Sequence, residues 1–186
     1  MREYLLYSRT GQTDSHFTNL HNAGRLDIVH ECIVASLFCS HSIRKDVIFH
    51  AILNGQPNPP VHISINGQAL YDVRTDQETW TKILRNTIDE RHHPGISMNR
   101  TSFEALVKAK AEETTIYVLE ERGKRVDEVE FASDTLFVVG DYIGLPKVTE
   151  KFALRFGEKI SLGKQPYLAA HCITIMNYLQ DRKLSE

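Results

Sequence analysis

The chain has 186 residues, of which 41% are hydrophobic and 25% are charged. These fractions exclude a disordered, collagen-like or coiled-coil polypeptide, and the length fits one domain that buries roughly 70% of its unfolded surface. Lysine and arginine total 22 against 24 aspartates and glutamates, for a net charge of −2. This balance excludes a protein coated in positive potential, so any RNA contact is expected to use a local patch.

The sequence contains no apolar stretch of about 18 residues that could span a membrane. Residues 1–4 lack the basic-then-apolar layout of a signal peptide. We therefore expect a cytoplasmic protein without a membrane partner. The three cysteines, Cys32, Cys39 and Cys172, are an odd number without a CxxC pair, which argues against a disulfide framework and against a zinc site.

A strand, a helix and a second strand are predicted in the first third of the chain. Residues 3–8 read as a strand and residues 9–24 as a polar loop. Residues 26–38 carry apolar side chains on more than one helical face, which indicates a well-buried helix. The apolar run 47–53 is typical of a central parallel strand. Together they predict a βαβ unit.

An antiparallel hairpin is predicted next, at an edge of the sheet. Val61, Ile63 and Ile65 alternate with polar residues. Asn66-Gly67 is the dipeptide favoured in two-residue hairpin turns, and residues 69–73 would form the returning strand.

The rest of the chain alternates between helical and strand patterns. Helices are predicted at 76–90, 102–110 and 149–156, strands at 115–119, 135–139 and 159–162, and a final helix with an apolar stripe through Leu168, Cys172, Ile175, Met176 and Leu179. The fold class is therefore α/β, a mostly parallel twisted sheet flanked by helices. Ligands of such folds bind beyond the carboxyl ends of strands, which singles out the loops 119–125, 140–146 and 162–167.

Two glycines follow the predicted strand 135–139. Gly140 and Gly144 would let the backbone approach a ligand closely or adopt positive φ, although the segment lacks both the GxGxxG and the GxxxxGK[ST] phosphate motifs. A strand that ends in a glycine turn is the simpler alternative. Asp141 either bonds a ribose or caps that turn.

The segment from Ser161 and Leu162 into the final helix is a second candidate. Free N–H groups at a helix start can bond a ligand. Cys172 is either a nucleophile, since a helix N-terminus lowers a thiol pKa, or a packing residue, as its place on the apolar stripe indicates. His171 is expected to face solvent.

Two Arg/Asp sets flank the first helix, Arg25 with Asp27 and Arg44 with Asp46. Arginine offers a planar fork suited to phosphates, and aspartate can orient or accept a proton. Helix caps or surface ion pairs are the alternative interpretation.

Several motifs together, in order and at similar spacing, resemble the TrmY family, the tRNA pseudouridine N1-methyltransferases of the SPOUT superfamily. The resemblance covers nearly the whole chain and rests on GRLD, SHSIRKDVIFHAIL, NPPVHISING, TIYVLEERG, LFVVGDYIGLP and SLGKQPYLAAHCITIMNYL.

This resemblance implies a fold, a cofactor and an assembly. The fold is a single SPOUT-like domain over residues 1–186 with a C-terminal trefoil knot at about 114–186, S-adenosylmethionine is held in the knot, and the protein is a homodimer. The implied cofactor walls are Leu119, Gly140, Gly144, Ser161, Leu162, Leu168 and Cys172. At Ala170 the chain departs from the family pattern, in which an aspartate is common, so a base or orienting group is absent there.

The implied reaction is methylation of N1 of a pseudouridine in structured RNA, with the T-loop of tRNA as the usual target and no DNA partner. Asp27 and Asp46 are the candidates that accept or orient the N1 proton, and Arg25 and Arg44 those that contact an RNA phosphate or an oxyanion. The predicted basic patch comprises Arg25, Arg44, Lys45, Arg122, Lys124 and Arg125. A ribosomal pseudouridine is the alternative substrate, a non-catalytic RNA-binding or assembly module the alternative function, and a cysteine hydrolase a distant one.

Overall fold

A seven-stranded sheet runs through the middle of the molecule, with helices on both of its faces. The computed structural model describes residues 1–183. The strands are β1 Arg2–Ser8, β2 Phe38–Cys39, β3 Ser42–Ile43, β4 Val47–Leu53, β5 Val61–Asn66, β6 Ile96–Asn99, β7 Thr115–Arg125, β8 Thr135–Gly140 and β9 Gly157–Ser161. The helices are α1 Leu26–Leu37, α2 Gln77–Ile88, α3 Phe103–Lys110, α4 Lys147–Ala153 and α5 Ala169–Lys183, and a single 3₁₀ turn covers Val126–Glu128.

The strand order of the large sheet is β6-β5-β4-β1-β8-β7-β9. The five strands from β4 to β9 in that order are parallel, whereas β5 and β6 are antiparallel to their neighbours. The mostly parallel α/β fold expected from the sequence is therefore confirmed, and the antiparallel strands lie at one edge.

The predicted βαβ unit is present as β1, α1 and β4. Alternation along β1 sends Tyr4 and Leu6 into a core cluster with α1, α2 and α5, which lie on the first face of the sheet. Leu5 points into a second cluster with α3 and α4 on the second face. Because both faces are covered, the parallel strands are continuous apolar runs.

The predicted hairpin after Asn66 is wrong. The Asn66 carbonyl accepts a hydrogen bond from the Leu70 N–H at 2.9 Å, so the chain does turn there. Leu70 is then buried in the first-face core, whereas Ala69, Tyr71 and Asp72 are exposed, and residues 69–73 form no strand. The antiparallel partner of β5 is β6, with Ile65 opposite Ile96.

The chain changes sides of the sheet twice between β7 and α5. The connection from β7 to β8 packs Val129 in the first-face cluster, whereas α4, between β8 and β9, packs Ala153 in the second-face cluster. After β9 the chain returns to the first face, where α5 packs Ile173 and Met176 in the core.

The apolar stripe predicted for the final helix is partly wrong. Leu168 precedes the helix and is 60% exposed, and the buried positions are Ile173, Met176 and Asn177. Asn177 is buried because the Tyr4 hydroxyl donates to its Oδ1 at 2.9 Å and its amide donates to the Ala35 carbonyl at 2.9 Å. A polar side chain therefore ties α5 to β1 and α1. Within residues 1–183, no helix has the length and apolar composition needed to cross a membrane.

Candidate active site

A cavity lies at the carboxyl ends of β8 and β9 beside the middle of β7, and α1 and α5 form its other walls. Its volume is about 790 Å³, within the range of roughly 300–1,000 Å³ that is typical of ligand sites. All three loops singled out from the sequence contribute residues to it.

The loop after β8 is held rigidly by Asp141. Its two carboxylate oxygens accept backbone hydrogen bonds, Oδ2 from Arg9 at 2.7 Å and Oδ1 from Ile143 at 2.9 Å. Its carbonyl accepts from the Gly144 N–H at 2.9 Å, and Gly144 has a φ of +81°, which favours glycine. Of the two roles weighed for Asp141, the structure therefore supports the turn cap.

Ser161 joins the second half of β7 to the loop after β9. Its hydroxyl donates to the Glu121 carbonyl at 2.9 Å and accepts from the Gly163 N–H at 3.0 Å. Ser161 is buried and is not among the residues that line the cavity. Its role is to position two walls of the cavity.

Arg25 enters the cavity from the start of α1. Gly24 and Arg25 both have left-handed backbones, with φ of +65° and +66°, and a Cβ on Gly24 would lie 1.8 Å from the Thr10 carbonyl oxygen. This close packing sets the direction in which α1 begins. The guanidinium donates to both carboxylate oxygens of Asp27, with Nε 3.0 Å from Oδ1 and Nη2 3.1 Å from Oδ2, and lies 5.0 Å from the centre of the Tyr142 ring.

The pKa values of Asp27, Cys172 and Glu120, at or beside the cavity, are shifted from their usual ranges. Burial would raise the pKa of Asp27, but hydrogen bonds from Arg25 and His21 outweigh burial and lower it, so Asp27 is a weak proton acceptor. Burial raises the pKa of the Cys172 thiol to about 11, which removes the thiolate that a nucleophile requires. Burial, followed by repulsion from Glu150, raises the pKa of Glu120.

Most of the predicted site residues lie at this cavity. Of the predicted cofactor walls, Ser161 lies behind the surface, and those that line it are Leu119, Gly140, Gly144, Leu162, Leu168 and Cys172. Arg25 also lines the cavity, and Asp27 is held against it.

Arg44 and Asp46 lie at the opposite end of the sheet. The Asp46 carbonyl accepts from the Arg2 N–H at the amino end of β1. The cavity is at the carboxyl end, and a strand of seven residues spans about 20 Å. The Arg44 guanidinium is paired with both oxygens of Asp181 on α5, at 2.9 and 2.7 Å. In this chain the two residues do not reach the cavity.

The residues of the predicted basic patch are divided between the two ends in the same way. Arg122 and Lys124 are exposed on the β7 segment that bulges between Leu119 and Lys124, beside the cavity, whereas Lys45 is at the far end next to Arg44. Arg125 is paired with Asp127 at 2.9 Å. This chain therefore does not bring the six residues together.

Several residues that line the cavity were not among the site residues predicted from the sequence. Glu31 comes from α1, Glu120 and Glu121 from the middle of β7, and Tyr142 and Tyr167 from the glycine loops. The two tyrosines could have been predicted from the sequence, because a large aromatic side chain in a short polar loop has few core residues to pack against. Glu31 could not have been predicted, because nothing in the sequence distinguishes it from other solvent-facing residues of a helix.

Comparison with known proteins identifies the family. Residues 1–184 match the family model for SAM-dependent RNA methyltransferases. The chain belongs to this family. It is 35% identical over 202 aligned residues to the tRNA (pseudouridine(54)-N(1))-methyltransferase of Methanocaldococcus jannaschii, covering 98% of each chain. The enzyme of the same name from Thermococcus kodakarensis is 31% identical, with 97% of this chain and 99% of that enzyme covered.

A solved structure shares the fold. Archaeoglobus fulgidus Nep1 bound to S-adenosylhomocysteine superposes with a TM-score of 0.73 at 14% identity, covering 100% of this chain and 99% of that one. The predicted SPOUT-like fold is therefore confirmed, and S-adenosylmethionine is the cofactor of the family.

The cavity suits this cofactor. Leu119, Leu162 and Cys172 give the cavity an apolar wall, the kind of surface on which a flat ring such as adenine can pack. Gly144 and Gly163 would have no atom within 4 Å of an added Cβ, so their backbone faces open space. The lining carries the carboxylates Glu31, Glu120, Glu121 and Asp141 and a single arginine, Arg25. A negative lining favours a ligand with a sulfonium and an ammonium group.

Proposed function

We propose that this protein methylates N1 of a pseudouridine in the T-loop of tRNA, with S-adenosylmethionine as the methyl donor. The observation that carries the proposal is the 35% identity, over 98% of both chains, to an enzyme named for that reaction at pseudouridine 54. The cavity supports it, because residues from the segments where the resemblance implies the cofactor walls line it.

The cofactor is proposed to bind between the three strand-end loops, within the knot implied for residues 114–186. Its walls are the predicted residues Leu119, Gly140, Gly144, Leu162, Leu168 and Cys172, with Ser161 positioning the loops behind them. The last three residues of that range, 184–186, lie outside the described residues.

The reaction depends mainly on the alignment of N1 with the methyl group. The bound cofactor supplies an electrophilic methyl group, and the protein must hold N1 of the pseudouridine in line with it while the N1 proton passes to water. Arg25 is the cationic side chain at the cavity, and Asp27 is proposed to orient it, since the paired, low-pKa carboxylate is a weak base. Arg25 is therefore proposed to contact the RNA beside the reacting base.

The protein is also proposed to act as a homodimer in the cytoplasm, where tRNA is present. The outer face of α5 presents Tyr178, which is 60% exposed, beside Arg182, and symmetric association is a common way to bury such a surface. In a dimer, Arg44 and Asp46 would serve the partner's cavity. A sedimentation mass of one chain at micromolar concentration would overturn this part.

The decisive experiment is methylation in vitro of tRNA that carries pseudouridine in the T-loop, followed by nucleoside mass spectrometry. We expect 1-methylpseudouridine, and no product from the same tRNA with uridine at that position. Methylation of a ribosomal hairpin in preference to tRNA would support the alternative substrate. Tight binding of tRNA and S-adenosylhomocysteine without turnover would support the non-catalytic module.

A further inference from the structure

Tyr142 stands at the mouth of the cavity as an exposed aromatic side chain on a rigid support. Its side chain lines the cavity, yet the residue is 53% exposed. The hydrogen bonds of Asp141 to Arg9 and Ile143 hold the turn on both sides of it. A large aromatic side chain that is neither buried nor mobile presents a flat apolar surface to solvent, and such a surface is a candidate contact for a ligand.

Arg25 extends this surface. Its guanidinium carbon lies 5.0 Å from the centre of the Tyr142 ring, within the range of a cation–π contact. Nε and Nη2 donate to the Asp27 carboxylate, so one of the two edges that could hold a phosphate is occupied and the charge is partly compensated. The N–H groups of Nη1 and the face of the guanidinium turned away from the Tyr142 ring remain for contacts with a ligand.

A planar aromatic ring beside a planar cation is the chemistry that stacks on an unpaired nucleobase. Proteins that read single-stranded RNA or loops stack bases on tyrosine, phenylalanine and arginine planes. An enzyme that modifies a base edge must also draw that base out of its stack. An RNA base that leaves its stack loses a neighbour, and a replacement stacking surface at the cavity compensates for the loss.

We infer that Tyr142 and Arg25 form a stacking platform that holds an unpaired nucleobase of the RNA substrate at the entrance of the cavity. The inference rests on the proposed function and assigns this part of the RNA contact to a base and not to a phosphate. Tyr142 contributes its ring. Asp27 holds the Arg25 guanidinium in an orientation that leaves a flat face open to the base. The hydroxyl of Tyr142 has no part in it.

The test measures the affinity of pseudouridine-containing tRNA in the presence of S-adenosylhomocysteine, and the affinity of S-adenosylhomocysteine alone. Tyr142→Phe retains the ring and is expected to bind tRNA within about twofold of the wild type. Tyr142→Leu is expected to weaken tRNA binding about 10-fold, the loss of one stacked base, with a much smaller loss of cofactor affinity. Tyr71→Leu is the matched control, because Tyr71 is 73% exposed and is not part of the cavity lining.

A substitution of Arg25 distinguishes stacking on a base from contact with a phosphate. Arg25→Gln removes the charge, and a phosphate contact would then lower the slope of log K against log salt by roughly 0.7 to 0.9. Stacking predicts weaker binding of tRNA with the slope nearly unchanged. Wild-type tRNA affinity in Tyr142→Leu, or an equal loss of cofactor affinity, would overturn the platform while leaving the proposed function intact. A wild-type protein that does not bind tRNA would overturn both.

Discussion

Glu3 and His50 form a buried ion-pair contact across the two central strands β1 and β4. Glu3 Oε2 lies 2.7 Å from His50 Nε2, and each side chain is 4% exposed. The chain of contacts continues from His50 Nδ1 to His62 Nε2 at 3.0 Å and from His62 Nδ1 to Asn99 Oδ1 at 3.2 Å. Asn99 Oδ1 also accepts from the Thr101 N–H, so this atom is the amide oxygen. An oxygen can only accept, and His62 Nδ1 must therefore donate to it.

The directions of these hydrogen bonds assign the protons. If His62 donates from Nδ1 and is neutral, its Nε2 accepts from His50 Nδ1. His50 then donates from both ring nitrogens, the second to Glu3, which also accepts from Lys110 at 2.9 Å. Burial would raise the pKa of Glu3, but the bonds from His50 and Lys110 outweigh burial and lower it.

Acidification is expected to destabilise the protein through His62. Burial, followed by repulsion from His50, lowers the pKa of His62 from 6.5 to about 4. Between those values the unfolded state binds a proton that the folded state does not, so stability rises with pH and is lost as pH falls. The contribution is about 2 kcal/mol between pH 7 and pH 5. The lowered pKa of Glu3 acts in the same direction below about pH 4.

Urea unfolding at pH 7 and pH 5 measures this effect. His62→Gln should lose less stability on acidification than the wild type. His92→Gln is the matched control, because His92 is exposed and should behave as the wild type. Equal pH dependence in all three proteins would mean that His62 takes up its proton normally in the fold.

Gly140 and Gly144 are expected to respond differently to alanine. A Cβ on Gly140 would lie 2.5 Å from the Leu145 nitrogen, so the loop must move, whereas a Cβ on Gly144 would meet open space. Calorimetry should show S-adenosylhomocysteine binding about 10-fold more weakly to Gly140→Ala, a loss of about 1.4 kcal/mol. Gly144→Ala strains a positive φ and should cost about 1 kcal/mol of stability, with a smaller loss of affinity. The reverse order would place the ligand against Gly144.

Asp141→Ala is expected to loosen the loop after β8. The substitution leaves the N–H groups of Arg9 and Ile143 without their acceptor, and each such loss costs about 1 kcal/mol or more. Affinity for S-adenosylhomocysteine should fall about 10-fold, whereas Asp141→Asn, which keeps one acceptor oxygen, should lose less. Circular dichroism checks that the sheet is retained. Unchanged affinity in the alanine variant would show that the loop is held by other contacts.

The pair between Arg44 and Asp181 is expected to stabilise the docking of α5. Two parallel hydrogen bonds and an Arg44 side chain that is only 18% exposed make it stronger than an ordinary surface pair. A double-mutant cycle with Arg44→Ala and Asp181→Asn should give a coupling energy above about 1 kcal/mol. Salt titration of tRNA binding by Arg44→Ala tests the predicted RNA contact in parallel. A lower slope there would assign Arg44 to the RNA.

Cys172→Ser should retain activity within a few-fold of the wild type. With its pKa raised to about 11, the thiol is neutral at physiological pH and serves as part of an apolar wall. The measurement is the initial rate of tRNA methylation at saturating cofactor. Loss of the rate with unchanged cofactor binding would revive a nucleophilic role.

The parts of the fold that are visible in the sequence are those in which the local pattern and the tertiary environment agree. The apolar run of β4 could be recognised because parallel strands are covered on both faces, and the glycine loops because they follow such runs. These features were enough to locate the cavity at the carboxyl ends of β8 and β9.

The errors come from interactions between distant residues. Asn66-Gly67 has the local signature of a hairpin, but Gly67 is pressed against the Arg44 carbonyl and its N–H donates to Val47. Asn177 looks like a surface residue of α5 until its partners Tyr4 and Ala35 are known. The tie between Arg44 and Asp181 spans 137 positions of the sequence, and no local pattern records such a contact.

The central position of β1 governs the order in which the protein can assemble on the ribosome. Tyr4 is paired with Phe49 on one edge of the strand and with Phe137 on the other. The first strand to be synthesised therefore keeps one edge open until β8 has emerged, a delay on the order of ten seconds at ordinary rates of translation. During that interval the apolar strand presents unpaired N–H and C=O groups, which favour association with other chains. Nascent chains that stop before β8 are the ones most exposed to aggregation.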